Sequence, residues 1–349
     1  MTGGAVRAAF AEQALACADM GSPLTARVLR LLGKALSPGA LVDDLVLKWP
    51  GDPSPFADSV PLRLAGGLHA LILSGQDRSL ADAYTHADAL DDPTFCAAVQ
   101  GAMARHSSFL TRWMQSPPQT NEVRRSAILI AAGHWLDRHF GLPQVLSELG
   151  ASAGLNLIWD RYALTAGQMR LGPPDAVLDL SPDWRGTAPV SGAPQVAHRA
   201  GVDLNPLDPV ADRLRLMAYV WADQTDRLDR TARAATEAAR MSAPITRADA
   251  GDWLDQRLRQ PFNKQLHLIF HTVAWQYFPQ ATRDRARAAI HAAGARATET
   301  APFALLGMEA DSADPGAGLT LRLWPEDRSI DLGRADFHGR WIDWRAPAP

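Results

Sequence analysis

Four short stretches of this chain carry side chains able to bind and orient a polar ligand. The first is Glu148-Leu-Gly150-Ala-Ser152-Ala-Gly154, an acid followed by a turn of small residues. Backbone N–H groups in such a turn, at the mouth of a parallel sheet, suit an anion or a cofactor. The carboxylate beside it suits an ammonium group. The second is Gly201-Val-Asp203-Leu-Asn205-Pro206, whose acid can accept hydrogen bonds from ribose hydroxyls. The third is Asp249-Ala-Gly-Asp252-Trp253, where a carboxylate can take an exocyclic amine and an indole can stack on an adenine ring. The fourth, His271-Thr-Val-Ala-Trp275-Gln-Tyr277, closes an apolar run with a titratable ring and two aromatics suited to a substrate pocket. Together they describe a site for an adenosine that carries an amino-acid tail.

The first stretch also spells Gly-x-Ser-x-Gly, the strand–turn–helix elbow of serine hydrolases. On that alternative Ser152 is the nucleophile, with an acid such as Asp311 and His338 or His271 as base, in the chain order Ser, Asp, His. Against it, the residues before the turn read as helical, and no His-Gly-Gly stretch precedes it to complete an oxyanion hole. A third alternative is a regulatory protein that binds a nucleotide without catalysis.

Composition narrows the classes. The chain has 349 residues, 47% of them hydrophobic, and a formal net charge of −3, as expected of a globular protein of two domains. A weakly acidic balance disfavours a phosphate-tracking nucleic-acid binder. Cys17 and Cys96 stand alone, without a CxxC or Cys/His cluster, so a thiolate zinc site is not expected and no metal is required. The longest apolar run, from Ala127 to Gly133, is far below the ~20 residues of a membrane helix. With no secretory leader in view, a cytoplasmic protein is expected.

The elements that must position these residues follow from hydrophobic period and punctuation. Residues 1–118 read as an all-helical domain cut by Pro and Gly, including a long amphipathic helix from Phe95 to Met114. Ser116-Pro-Pro118 breaks the chain, and a helix is expected from about Glu122 to Phe140, with Gln119, Asn121, Glu122 and Arg125 at its start. From Gln144 the pattern becomes strand, turn and helix in alternation, the mark of a parallel α/β sheet. The opening strand ends at Leu149, and Leu155-Asn156-Leu-Ile-Trp-Asp160-Arg-Tyr162 reads as the helix after the turn. Prolines 173, 174, 182, 189 and 194 mark an insertion at about 163–194. Further strands are expected at Pro244–Ala250, Leu266–His271, Phe303–Met308, Leu319–Trp324 and Trp341–Trp344, giving six or seven in all.

Glu148-Leu-Gly150-x-x-x-Gly154, the Asp203 and Asp249 turns and the segment ending in His271 resemble, in order, four motifs of Rossmann-like S-adenosylmethionine-dependent methyltransferases. Ser152 stands where that superfamily has its middle glycine. The gap from Gly154 to Asp203 exceeds the usual ~20 residues, which the insertion accounts for. The resemblance implies residues 119–349 as a Rossmann-like methyltransferase-type domain, a mostly parallel sheet with helices on both faces. It implies S-adenosylmethionine as cofactor, held by Glu148, Gly150, Ser152, Gly154, Asn156, Asp203, Asn205, Asp249 and Trp253, with His271, Trp275 and Tyr277 facing a small-molecule substrate. Over most of its length the chain also resembles the bacterial proteins grouped as domain of unknown function 2332. Gln119-Thr-Asn-Glu-Val-Arg-Arg-Ser126, Leu149–Asn156, Asp160-Arg-Tyr162, Asp203-Leu-Asn-Pro-Leu-Asp208 and His271–Tyr277 carry that match, which implies a family and no reaction.

Overall fold

Prolines and side-chain caps cut the first third of the chain into short helices. In a computed structural model, which describes residues 3–55 and 57–349, these are α1 (Gly3–Asp19), α2 (Pro23–Ala35), α3 (Leu41–Leu47), α4 (Val60–Leu73), α5 (Arg78–Thr85), α6 (Asp92–Arg105) and α7 (Ser107–Trp113). Pro23 starts α2, where a missing N–H does no harm. Asp77 caps α5 through Leu80 N at 2.9 Å, and Asp91 caps α6 through Thr94 N at 2.8 Å. The expected long helix from Phe95 to Met114 is two helices: the backbone breaks at His106, whose Nε2 lies 3.0 Å from the buried Asp77 carboxylate.

The rest of the chain runs α8 (Ser126–Phe140), β1 (Gln144–Leu149), β2 (Tyr162–Ala166), β3 (Met169–Leu171), β4 (Leu178–Leu180), β5 (Asp183–Gly186), β6 (Val196–Asp203), α9 (Arg213–Ala218), α10 (Thr225–Met241) and β7 (Ile245–Arg247). Then come α11 (Ala250–Arg257), β8 (Leu266–Thr272), α12 (Gln280–Gly294), β9 (Phe303–Glu309), β10 (Ala317–Trp324), β11 (Arg328–Ala335) and β12 (Trp341–Trp344). Among the described residues no helix is long and apolar enough to cross a membrane.

The chain divides into two units. One is the stretch up to Thr120 together with Ala211–Ala232, which holds α9 and the first half of α10. It is all helical, with Phe10, Leu29, Leu64, Leu68 and Phe95 fully buried in one core. Asp223 ties its distant parts, accepting from Ser22 Oγ and, at 2.9 Å, from Leu24 N.

The other unit, Asn121–Val210 with Arg233–Pro349, is α/β and is built on a mixed, mostly parallel sheet in the order β5-β12-β11-β10-β9-β8-β1-β6-β7. The strands β7, β6, β1, β8 and β9 are parallel; β10, β11 and β12 continue antiparallel. Counted along the chain, the parallel part has the doubly wound order 3-2-1-4-5, which places β1 at the topological switch point. The sheet has nine strands where six or seven were expected, since β11 and β5 join its antiparallel end. The Pro-rich insertion makes a small separate sheet, β3-β2-β4, and the edge strand β5.

Alternation along each strand sorts the side chains. Leu149, Val202, Ile269 and Phe303 pack with Trp253 and Leu254 of α11 and Ala286 and Ile290 of α12. Gln144 points the other way, donating to the Gly133 carbonyl of α8 at 2.8 Å. Glu148, on the same phase as Gln144, therefore comes out on the α8 face.

Candidate functional site

At the switch point three loops leave the carboxyl ends of neighbouring strands, where open α/β sheets bind ligands. The loop after β1 is the glycine turn. Gly150 and Gly154 both have φ +71°, a conformation that favours glycine. A Cβ on Gly150 would lie 2.6 Å from that of Ala274 in the loop after β8, so these two loops are in close contact. Ser152 also adopts a left-handed conformation, φ +53°, although it carries a Cβ. Its backbone is pinned on both sides: its N–H donates to Asp203 Oδ2 at 2.9 Å, and its carbonyl accepts from Leu207 N at 3.2 Å. Its hydroxyl is buried and has no hydrogen-bond partner.

The helix expected after this turn does not form. Gly154, Leu157, Trp159 and Arg161 donate instead to carbonyls three residues back, and a short 3-10 turn, Trp159–Arg161, leads straight into β2. Side chains hold this tighter path. Asn121 Oδ1 accepts from Leu155 N at 2.8 Å, Ser126 Oγ donates to Asn156 Oδ1 at 2.7 Å, and the Tyr162 hydroxyl donates to the Leu155 carbonyl at 2.9 Å. No helix N-terminus is thus offered to a ligand at this turn; what it offers is side chains. Asn156 is fully buried and its Nδ2 is unpartnered.

Glu148 is 1% exposed, and its Oε2 has no hydrogen-bond partner. Burial, and then the neighbouring Asp203 carboxylate, push its carboxyl well above the usual range, while Arg125 pulls the other way. An ionised, unsatisfied carboxylate in such a place is costly, which favours the protonated acid. Arg125, just ahead of α8, donates to the Thr272 carbonyl at the end of β8 and to the Phe337 carbonyl in the turn between β11 and β12, both at 2.9 Å. The segment Asn121–Ser126 thus lies over the glycine turn, through Asn121 to Leu155 N and Ser126 to Asn156. Asp203 is half-buried at the end of β6, and its Oδ1 also accepts from Asn205 N at 2.8 Å. Asn205 is exposed, its Oδ1 accepting from Arg247 at 3.0 Å.

Other expected site residues are engaged elsewhere. Asp249 is the N-cap of α11: its Oδ1 accepts from Gly251 N at 2.8 Å and from Arg285 at 2.9 Å, and its Oδ2 from the Thr282 hydroxyl. Trp253 packs in the core between the sheet, α11 and α12. Tyr277 is 68% exposed. His271 lies on the α11/α12 face, opposite Glu148, because it is two residues from Ile269 and shares its phase. Its Nδ1 meets Glu309 Oε1 at 2.7 Å and its ring stacks on Trp275. Glu309 also accepts from Ala274 N and Trp275 N, and these bonds outweigh its burial to hold its carboxyl below the usual range. Sequence reading missed Glu309. The signal was there, an acid closing an apolar strand as Glu148 does.

The His271 ring sits over β9, against Gly307, and not toward β1 and Ser152. Asp311 is paired with Arg334 at 2.9 Å, and the backbone N–H of His338 donates to Asp336 Oδ1 at 2.9 Å. His271 is thus paired with Glu309, and Asp311 with Arg334. Among the described residues no group of three or more His, Cys, Asp or Glu side chains is arranged to hold a metal ion.

A family model described as "Uncharacterized protein conserved in bacteria (DUF2332)" matches residues 7–344. No curated protein and no solved structure matches the chain.

Proposed function

The chain belongs to that bacterial family, and we propose that it is an S-adenosylmethionine-dependent methyltransferase acting on a small molecule. One observation carries the reading. At a glycine turn on the switch point, three buried polar groups of one loop region, Glu148 Oε2, Ser152 Oγ and Asn156 Nδ2, have no protein partner. Buried polar groups are nearly always hydrogen-bonded, so a set of orphans at a ligand-binding edge calls for a polar ligand.

The cofactor's amino-acid tail suits them. Glu148 would take its ammonium group, while Ser152 Oγ and Asn156 Nδ2 would donate to its carboxylate. Asp203 keeps acceptor capacity on both oxygens beyond the bonds to Ser152 and Asn205, and would take a ribose hydroxyl. Asp249 and Trp253 do not fit the adenine role the resemblance implied, since the first is a satisfied helix cap and the second a core residue. His271, Trp275 and Tyr277 keep the substrate-side role as part of the proposal.

When bound, this cofactor supplies an electrophilic methyl group on a sulfonium. Transfer needs little from the protein beyond alignment and exclusion of water. Against a Ser152 nucleophile served by His271, that ring lies against Gly307 of β9 and meets Glu309. Calorimetry with S-adenosylmethionine and its demethylated product tests the proposal on wild type, Glu148→Gln and Asp203→Ala. Binding by the wild type is expected, at least about tenfold weaker in Glu148→Gln, since hydrogen bonds to charged groups contribute about 1.5–3 kcal/mol. No binding by the wild type would sink the proposal.

A further inference from the structure

We infer that Glu148 is the residue that selects the ligand of this site, taking a cationic head and giving up one proton as it does so. The inference rests on the methyl-transfer reading for the choice of probe. It stands on geometry: Glu148 ends β1 with a side chain that is 1% exposed and an Oε2 that no protein group satisfies. Asp203, at the end of the adjacent β6, lies on the same face and presents a second carboxyl group. Burial and the Asp203 charge both oppose an ionised Glu148 unless a cation joins it.

The groups around Glu148 leave that cation to the ligand. Arg125, the guanidinium that acts on it, is committed to the carbonyls of Thr272 and Phe337. Glu122, in the same segment as Arg125, adds a further acid. Tyr162 of β2 feels the Glu148 carboxyl but holds the Leu155 carbonyl through its hydroxyl. Phe270 and Thr272 of β8 carry no charge. In the turn after β11, Asp336 is paired with Arg340 at 2.7 Å, and His338 stands beside it. In the free protein burial and Asp203 keep the proton on Glu148. An ammonium group arriving at Oε2 reverses that balance. The O–H bond of the carboxyl breaks, its electron pair stays on oxygen, the proton passes to buffer, and the ammonium N–H groups donate to the carboxylate. Ser152 Oγ and Asn156 Nδ2, both neutral donors, remain for the anionic part of the same head.

Calorimetry on the full chain tests this, using S-adenosylmethionine and 5′-methylthioadenosine, which lacks the amino-acid tail, in buffers of low and high ionisation enthalpy across the neutral range. S-adenosylmethionine should release close to one proton and gain up to about tenfold in affinity per pH unit. Methylthioadenosine should bind without either effect, and Glu148→Gln should lose both. Binding of S-adenosylmethionine to wild type without proton release, or release that persists in Glu148→Gln, would overturn the inference. If S-adenosylmethionine does not bind at all, the methyl-transfer reading falls and Glu148 is still decided on the free protein. The infrared carbonyl band of a protonated carboxylic acid should then be present in wild type at neutral pH and absent from Glu148→Gln. Its absence from wild type would equally overturn the inference.

Discussion

Replacing Ser152 by glycine should make the protein more stable and its ligand binding weaker. Ser152 combines a left-handed backbone with a buried hydroxyl that lacks a partner. A non-glycine residue in that conformation costs about 1–2 kcal/mol, and a buried unsatisfied hydroxyl about another 1 kcal/mol. Glycine removes both penalties, and the added freedom of the unfolded chain offsets about 0.5–1 kcal/mol. The two backbone bonds, to Asp203 and Leu207, need no side chain and persist. The net expectation is a stabilisation of roughly 1–2 kcal/mol, or a melting point higher by about 2–8 °C for a unit of this size. Ser152→Ala separates the two causes, since it loses the hydroxyl but keeps the Cβ and its strain, and should gain less than glycine does. If the hydroxyl serves the ligand, both variants lose about 1 kcal/mol of binding, a Kd roughly fivefold higher for S-adenosylmethionine. Thermal unfolding of the three proteins and calorimetry on each measure both quantities. A glycine variant less stable than wild type would refute the reasoning, because the serine would then be in a conformation it favours.

Asp249→Ala should destabilise the protein by about 1–2 kcal/mol through loss of the α11 cap, with affinity for S-adenosylmethionine unchanged; affinity that falls with stability would return Asp249 to the ligand site. For Glu148 the folded protein holds a proton that the unfolded chain releases above about pH 4.3. Its contribution to stability is therefore complete below that value and lost as pH rises through the higher folded value, by up to about 1.4 kcal/mol per pH unit. Urea unfolding of wild type and Glu148→Gln across the acid and neutral range should show that fall in the difference between the two proteins, wild type losing stability relative to the variant as pH rises. His267 acts in the opposite sense: burial, and then Arg257, push it down to about 3, so the unfolded chain binds a proton first as pH falls below about 6.5. Between those values wild type should lose up to about 1.4 kcal/mol per pH unit relative to His267→Gln, which starts less stable because its bond to Ser147 is gone. Identical slopes in the two proteins would show that His267 is not held neutral.

What could be read from the sequence, and what could not, divides by the range of the interaction that decides it. The strand before the glycine turn, the buried run at β8 and the acids Glu148 and Asp203 at strand ends follow from local period and punctuation. Asn121 and Arg125 read locally as no more than the start of a helix, and their place beside the turn is set by bonds to Leu155 and Thr272. The helix after the turn was misread because Leu155–Tyr162 has helical spacing, and nothing in it announces that Asn121, Ser126 and the Tyr162 hydroxyl will hold the backbone in a tighter path. The tie between Ser22 and Asp223 spans 201 positions and leaves no mark in either segment. Asp249 differs in kind. An acid two residues before Gly251-Asp252 is a helix N-cap on purely local grounds, and that reading needed no ligand. The same test separates the acids that remain. The Asp249 carboxylate is consumed by its own helix and by Arg285, and Glu309 by a turn and His271, although one Glu309 oxygen also stays unpartnered. Glu148 ends a buried strand with its Oε2 unpartnered and a second carboxylate, Asp203, acting on it. A fold does not keep such a group for stability, since replacing it by glutamine would remove a protonated acid at little loss. That asymmetry between engaged and unengaged carboxylates, more than the spacing of glycines, is what directs the functional reading to the end of β1.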